Sequence, residues 1–191
     1  MGKSLLVRLT ALLLLALCAV IPLPATTLAR LNLEQLARAA DAVAHVRCTD
    51  AASYLEGGTV WTRTQFTVIE PLKGAPPPQI TVRLPGGRSG HILVSIEAVP
   101  RFQPAEEGVL FLEKLATGDY SVTAWALGAF RIRRNDRTGE ETVTQDSSTL
   151  AVFDPASRRF VIEGIRDLPL AEFRRRLAVA FRPSAAEGGK P

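Results

Sequence analysis

The segment RLPGGRSGH, Arg83 to His91, gathers chemistry-capable residue types more tightly than any other stretch: two arginines, a serine, a histidine and three glycines. Serine with histidine is the raw material of a nucleophile and its base, and glycines with arginines are that of an anion cradle. Neither pattern completes itself. The esterase elbow needs Gly-x-Ser-x-Gly between a strand and a helix, but counting from Gly87 the fifth position is His91, and the ILVSI that follows reads as strand. A phosphate loop needs Gly-x-x-x-x-Gly-Lys-Ser/Thr opening a helix, and here both lysine and helix are missing. Two readings remain for Arg83, Arg88 and His91. They contact a partner or an anion, or they decorate a connection whose glycines supply turn geometry.

The rest of the inventory narrows further. Imidazole and thiolate ligands are limited to His45, His91 and Cys48, spread along the chain, and no Asp-x-Asp-x-Asp-Gly loop is present, so no metal site is expected. Adjacent Glu106 and Glu107 point to opposite sides of an extended chain and do not face each other across a cleft, as glycoside hydrolysis requires. No catalytic residue and no cofactor is therefore assigned. Trp61 falls out of phase with Phe66 and Val68, and Trp125 with Tyr120 and Val122. Each is either buried by barrel closure or part of an aromatic face for a glycan, a peptide or a partner. The densest basic group, Arg131, Arg133 and Arg134 in RIRRNDR, is followed at once by Glu140 and Glu141, as in a solvated hairpin end; its functional alternative is an anionic polymer. Elsewhere the bases are scattered, without the stripe that nucleic-acid binding calls for. Arg174 to Arg176 is read as the solvated back of a docked helix or as an anionic-surface contact.

These residues need elements to hold them. LNLEQLARAADAV starts a helix with Asn32 as cap and Gln35 three residues on. A first strand runs from Ala42 to about Ala52, with Ala42, Ala44, Val46 and Cys48 on one face and Val43, His45 and Arg47 on the other. VWTRTQFTVIEPL is a long second strand, ended by KGAPPPQ; ITVRL is the third and HILVSIEAV the fourth. GVLFLEKL, nearly all apolar at first, is a fifth strand buried on both sides. YSVTAWALGAFRIR is a sixth, with a bulge or a sharp barrel bend at Gly128. TLAVFD and RRFVIEG add a hairpin, and DLPLAEFRRRLAVAF closes the chain as a helix with Leu170, Phe173, Leu177 and Phe181 in one stripe. The fold class is thus mainly β: a small antiparallel barrel of OB-like type flanked by a short N-terminal helix and a C-terminal amphipathic helix.

The ends set the compartment. Lys3 and Arg8 precede an apolar run, Leu9 to Ile21, then small residues, which reads as a signal peptide over residues 1–29 cut after Ala29. That run is short of the roughly 20 residues of a membrane span, and no later segment approaches them, so the expectation is a secreted or periplasmic protein with no transmembrane segment. A single domain, 30–182, and a loose tail, 183–191, follow. Only Cys48 remains after the cut, without a disulfide partner, and is expected to be buried.

AADAVAHVRC, then FTVIEPLKG, then FQPAEEGVLFLE together resemble the landmark order of netrin-like and metalloproteinase-inhibitor-like barrels, and more closely that of a group of uncharacterised exported bacterial proteins. The resemblance spans about Asp41 to Arg131 and implies an OB-type barrel. It also implies a non-enzymatic protein working with or on a secreted metallopeptidase or an envelope component. The inhibitors' zinc chelation by an N-terminal cysteine is not implied, because the expected mature start, RLNLEQL, carries none.

Overall fold

The fold is seen in a computed structural model that describes residues 28–182; nearly all of the expected signal peptide and the whole expected tail lie outside these residues. Helix α1 (Leu33–Ala39) opens on the expected capping box: Gln35 N donates to Asn32 Oδ1 at 2.8 Å, and Asn32 N donates to Gln35 Oε1 at 2.9 Å. Its last carbonyls are met from afar. Lys73 Nζ donates to Ala37 O at 2.6 Å and also to Ala40 O, placing a cation where the helix dipole is negative.

Strands β1 (Ala42–Glu56) and β2 (Thr59–Lys73) form a long hairpin over Gly57 and Gly58, with φ of 57° and 78°, the positive pair that a two-residue hairpin loop of the primed type requires. β1 therefore runs past the expected end at Ala52. β3 (Gln79–Pro85) lies on the other edge of β2, and β6 (Glu107–Lys114) on the other edge of β1. β7 (Tyr120–Val122) joins β6 to β3, so β1, β2, β3, β7 and β6 close into a ring. The fold is mainly β with a helix at each end of the described chain, as expected. Within the ring one contact departs from antiparallel pairing: β3 meets β7 in parallel at Val82 and Tyr120.

Two expected strands come out differently. HILVSIEAV gives only β5 (Ile92–Val94), which pairs with β4 (Gly87–Ser89) in a small hairpin outside the ring. Beyond it Ala98 takes a left-handed φ of 63°, and Pro100 carries no donor, so the ladder cannot continue. YSVTAWALGAFRIR is split into β7 and β8 (Ala129–Arg134) by a 3-10 turn, Trp125–Leu127. Both pieces lie along one edge of β6, and Phe111 spans the interruption: its amide donates to Gly128 O and its carbonyl accepts from Thr123 N, both at 2.9 Å. Gly128 is needed because a Cβ there would stand 2.1 Å from Thr123 O. The sheet continues from β8 through β9 (Glu141–Gln145) to β12 (Leu168–Pro169), while β10 (Ala151–Asp154) and β11 (Arg159–Ile162) pair apart.

Strand alternation divides the apolar residues into two cores. Ala44, Val46 and Cys48 pack with Phe66, Val82 and Leu112 in one, and Val43 packs with Phe111, Phe130 and Phe173 of α2 (Leu170–Ala180) in the other. Phe130 stacks between Phe111 and Phe173, with centroids 5.5 and 4.9 Å away. Cys48 is 1% exposed, and burial, helped by the Glu106 charge, pushes its thiol pKa up.

The landmarks that carry the family resemblance meet at one corner. Lys114 N donates to Asp41 Oδ2 at 2.7 Å, and Gly74, with φ 71°, lies against Asp41 so closely that a Cβ would stand 2.8 Å from its backbone oxygen. Gly58 has a similar φ but open space around it. Gly58→Ala should cost about 1 kcal/mol from backbone strain alone. Gly74→Ala should cost a further 1–3 kcal/mol, roughly, from overpacking, read by urea denaturation; equal losses would show that the close approach imposes no constraint.

Candidate functional site

The hairpin turn decides what stands beside what. Pairing about Gly57–Gly58 sets Tyr54 of β1 directly opposite Trp61 of β2, and the next ladder sets Trp61 opposite Pro85 and Arg63 opposite Arg83. Thr62, Thr64 and Phe66 are buried inward, so Trp61 and Arg63 face out, with Trp61 half-buried. The Arg83 guanidinium carbon lies 4.3 Å from the Trp61 ring centroid and 5.8 Å from that of Tyr54, while Arg63 lies 5.5 Å from Tyr54. Two arginines directly opposed across a ladder repel. Here Glu56 pairs with Arg83, Asp119 approaches Arg63 at 4.0 Å, and the aromatic faces take the remaining charge.

The 3-10 turn that interrupts the β7–β8 edge brings Trp125 to the same place. Trp61, Arg83, Pro85, Leu115, Ser121 and Trp125 line a shallow, mostly apolar groove of about 410 Å³. Arg83 Nε is buried without a hydrogen-bond partner among the described residues, as is the Tyr54 hydroxyl. Three of the residues singled out in the sequence, Trp61, Arg83 and Trp125, are thus assembled by the fold. Tyr54 and Arg63 were missed, although the Gly-Gly loop carries the signal for Tyr54: a two-residue turn at 57 and 58 fixes its position opposite Trp61.

RLPGGRSGH rises directly from this groove. Arg83 and Pro85 line it, Gly86 and Gly87 turn the chain with φ of 84° and 125°, and β4 and β5 then form a hairpin whose loop is Gly90–His91. Arg88 and His91 stand exposed on that hairpin. The glycines do more than turn, since a Cβ on Gly87 would lie 2.2 Å from Ser53 Oγ and one on Gly86 2.7 Å from Val94 O. Beneath them Thr62 Oγ1 donates to Gly86 O at 2.7 Å, and Arg101 donates to Thr62 Oγ1 and to Pro85 O at 2.9 and 2.6 Å.

The basic group from the β8–β9 hairpin stands elsewhere. Arg131, Arg133 and Arg134 line a cleft of about 560 Å³ with Arg101, Glu106 and Asp146. Arg131 is not a solvated hairpin end. It donates to Asp146 at 2.8 Å, to Glu106 at 2.7 Å and to Arg101 O at 2.6 Å, and its guanidinium carbon lies 3.8 Å from the Phe102 ring centroid. With those donors engaged internally, only Arg133 and Arg134 are exposed. On the other side of β6, Glu107 bonds Arg47 Nε at 2.8 Å and buried His45 Nε2 at 3.1 Å. Burial raises the Glu107 pKa, but the hydrogen bonds and charges of Arg47 and His45 outweigh it and hold the carboxyl below its usual range. These carboxylates are tied to cations and are poorly placed for proton transfer. Among the described residues no three His, Cys, Asp or Glu side chains gather as a metal set.

Comparison of the chain with protein-family models, curated proteins and solved structures found no match in any of the three. The netrin-like resemblance rests on its sequence landmarks alone.

The Glu107 cluster predicts a signed pH effect. A carboxylate whose pKa is lowered by folding stabilises the protein above the unfolded pKa, about 4.3 for glutamate, and that contribution fades as the pH falls through the folded value. Glu107→Gln should lose about 1–3 kcal/mol at neutral pH, and the gap to the wild type should close in acid. A gap that stayed constant with pH would show that the carboxylate charge contributes nothing.

Proposed function

We propose that the chain is an exported, non-enzymatic interaction protein that engages a protein partner or envelope component through the groove of Trp61, Arg83 and Trp125. The observation that carries this reading is the convergence of two half-buried tryptophans and a ring-stacked arginine from three separate parts of the chain on one groove. Aromatic and arginine side chains in partly desolvated settings are the residues that dominate binding energy at interfaces. The Arg88–His91 hairpin, with Ile92 and Leu93 47% and 61% exposed, extends the surface beside it. A secreted metallopeptidase is the partner class that the netrin-like landmarks suggest, with the groove as the contact in place of the inhibitors' cysteine.

A hydrolase built on Ser89 and His91 draws less support, because the two residues sit at the end of an exposed hairpin and not on a strained strand-to-helix turn. The anionic-polymer alternative loses Arg131 to its internal carboxylates.

Co-purification from the native host, followed by binding measurements with the partner recovered, tests the proposal. Trp61→Ala and Trp125→Ala should each weaken binding about thirtyfold, as loss of an interface anchor does, with the circular dichroism spectrum unchanged. Full affinity in both variants, or no reproducible partner, would sink it.

A further inference from the structure

We propose that the outer face of the β10–β11 hairpin docks on an anionic lipid surface. Cross-strand pairs Val152–Val161 and Phe153–Phe160 give the hairpin two faces. Val152 and Val161 pack into the core that contains α2, which turns Phe153, Phe160 and Ile162 the opposite way. Phe153 and Phe160 meet edge to face at 5.6 Å, yet Phe160 and Ile162 remain 63% and 61% exposed. Two large apolar side chains standing side by side on a solvent-facing sheet need a partner more than scattered ones do.

Their surroundings select the partner. Asp154 is engaged by the turn, accepting from Ala156 N and from Ser157 N and Oγ, and the turn sets Arg158, with φ 55°, and Arg159 immediately before Phe160. The acids beside the hairpin, Asp154 and Glu163, are approached by Arg30 at 4.0 and 2.6 Å, which leaves Arg158 and Arg159 without a carboxylate among the described residues. On α2 the arginines are largely engaged, Arg174 with Glu70 at 2.8 Å and Arg175 and Arg176 with Glu172, while Val179 is 63% exposed one turn before Arg182. Arg176 of α2 shares a hollow with Arg30 and Glu163, so helix and hairpin are neighbours.

Apolar tips flanked by arginines fit the boundary of an anionic bilayer, where the side chains enter the headgroup region and the guanidinium groups meet phosphate.

An environment-sensitive fluorophore at residue 162 tests docking of this face in particular, using Ile162→Cys in the exported form expected to begin at Arg30, whose other cysteine, Cys48, is buried. With vesicles of phosphatidylcholine plus phosphatidylglycerol the emission should shift to the blue, and salt should reverse the shift. Phosphatidylcholine alone should give little change. Arg158→Gln and Arg159→Gln should each weaken the half-point about fivefold, while Trp61→Ala should leave it unchanged. No blue shift, equal shifts with both vesicle types, or a shift induced as well by a soluble polyanion would overturn the proposal.

Discussion

Everything in this fold depends on β1 being paired along both edges. Its first half bonds to β6 on one side and to β2 on the other, which is what turns a meander into a closed ring. Closure has to be registered, and the corner at the start of β1 does this with backbone contacts. Asp41 takes the Lys114 amide where β6 ends, Gly74 lets the chain after β2 lie against Asp41, and Lys73 reaches back to the last carbonyls of α1. The end of α1, the start of β1, the end of β2 and the end of β6 are thereby fixed to one another. Asp41, Lys73 and Gly74, which the sequence places in short recurring-looking patterns, are here the fasteners of a closure.

The second half of β1 is held differently. Past Asp50 it pairs only with β2, and the glycines of RLPGGRSGH lie over it, Gly87 within Cβ contact of Ser53 and Thr62. The hairpin that follows is braced from below by Arg101, whose pKa is lowered by burial. Ring closure at one end and glycine packing at the other leave the outward row of β1, β2 and β3 free to carry side chains that the fold does not need. Tyr54, Trp61, Arg63 and Arg83 occupy that row.

What was legible in the sequence follows from how local its cause was. The α1 capping box, the two faces of β1, the doubly buried β6 and the α2 stripe are each set within a few residues, and periodicity reads them directly. The split of YSVTAWALGAFRIR was not legible, because it is imposed by Phe111 of another strand bonding across the gap. HILVSIEAV has the composition of a strand, but Ala98 turns left-handed and Pro100 lacks a donor, so only Ile92–Val94 pairs, with β4. At the site, Trp61, Trp125 and Arg83 were singled out one by one, whereas their meeting depends on the β3–β7 contact that completes the ring. The burial of Arg131 is not legible for the converse reason: Glu106 and Asp146, far apart in the chain, converge on it.

The two arginine-rich regions show why charge density alone is a poor guide to a surface. At β8, a run of basic residues faces carboxylates that the fold brings in from just before β6 and just after β9, and the most buried of them, Arg131, is consumed by internal bonds over an aromatic ring. At the β10–β11 hairpin the acids are drawn off by Arg30 and by the turn itself, so the charge that remains stands next to uncovered apolar side chains. The first arrangement holds strands together and the second leaves an amphipathic face. The difference lies in where the carboxylates are, and that is a property of the fold.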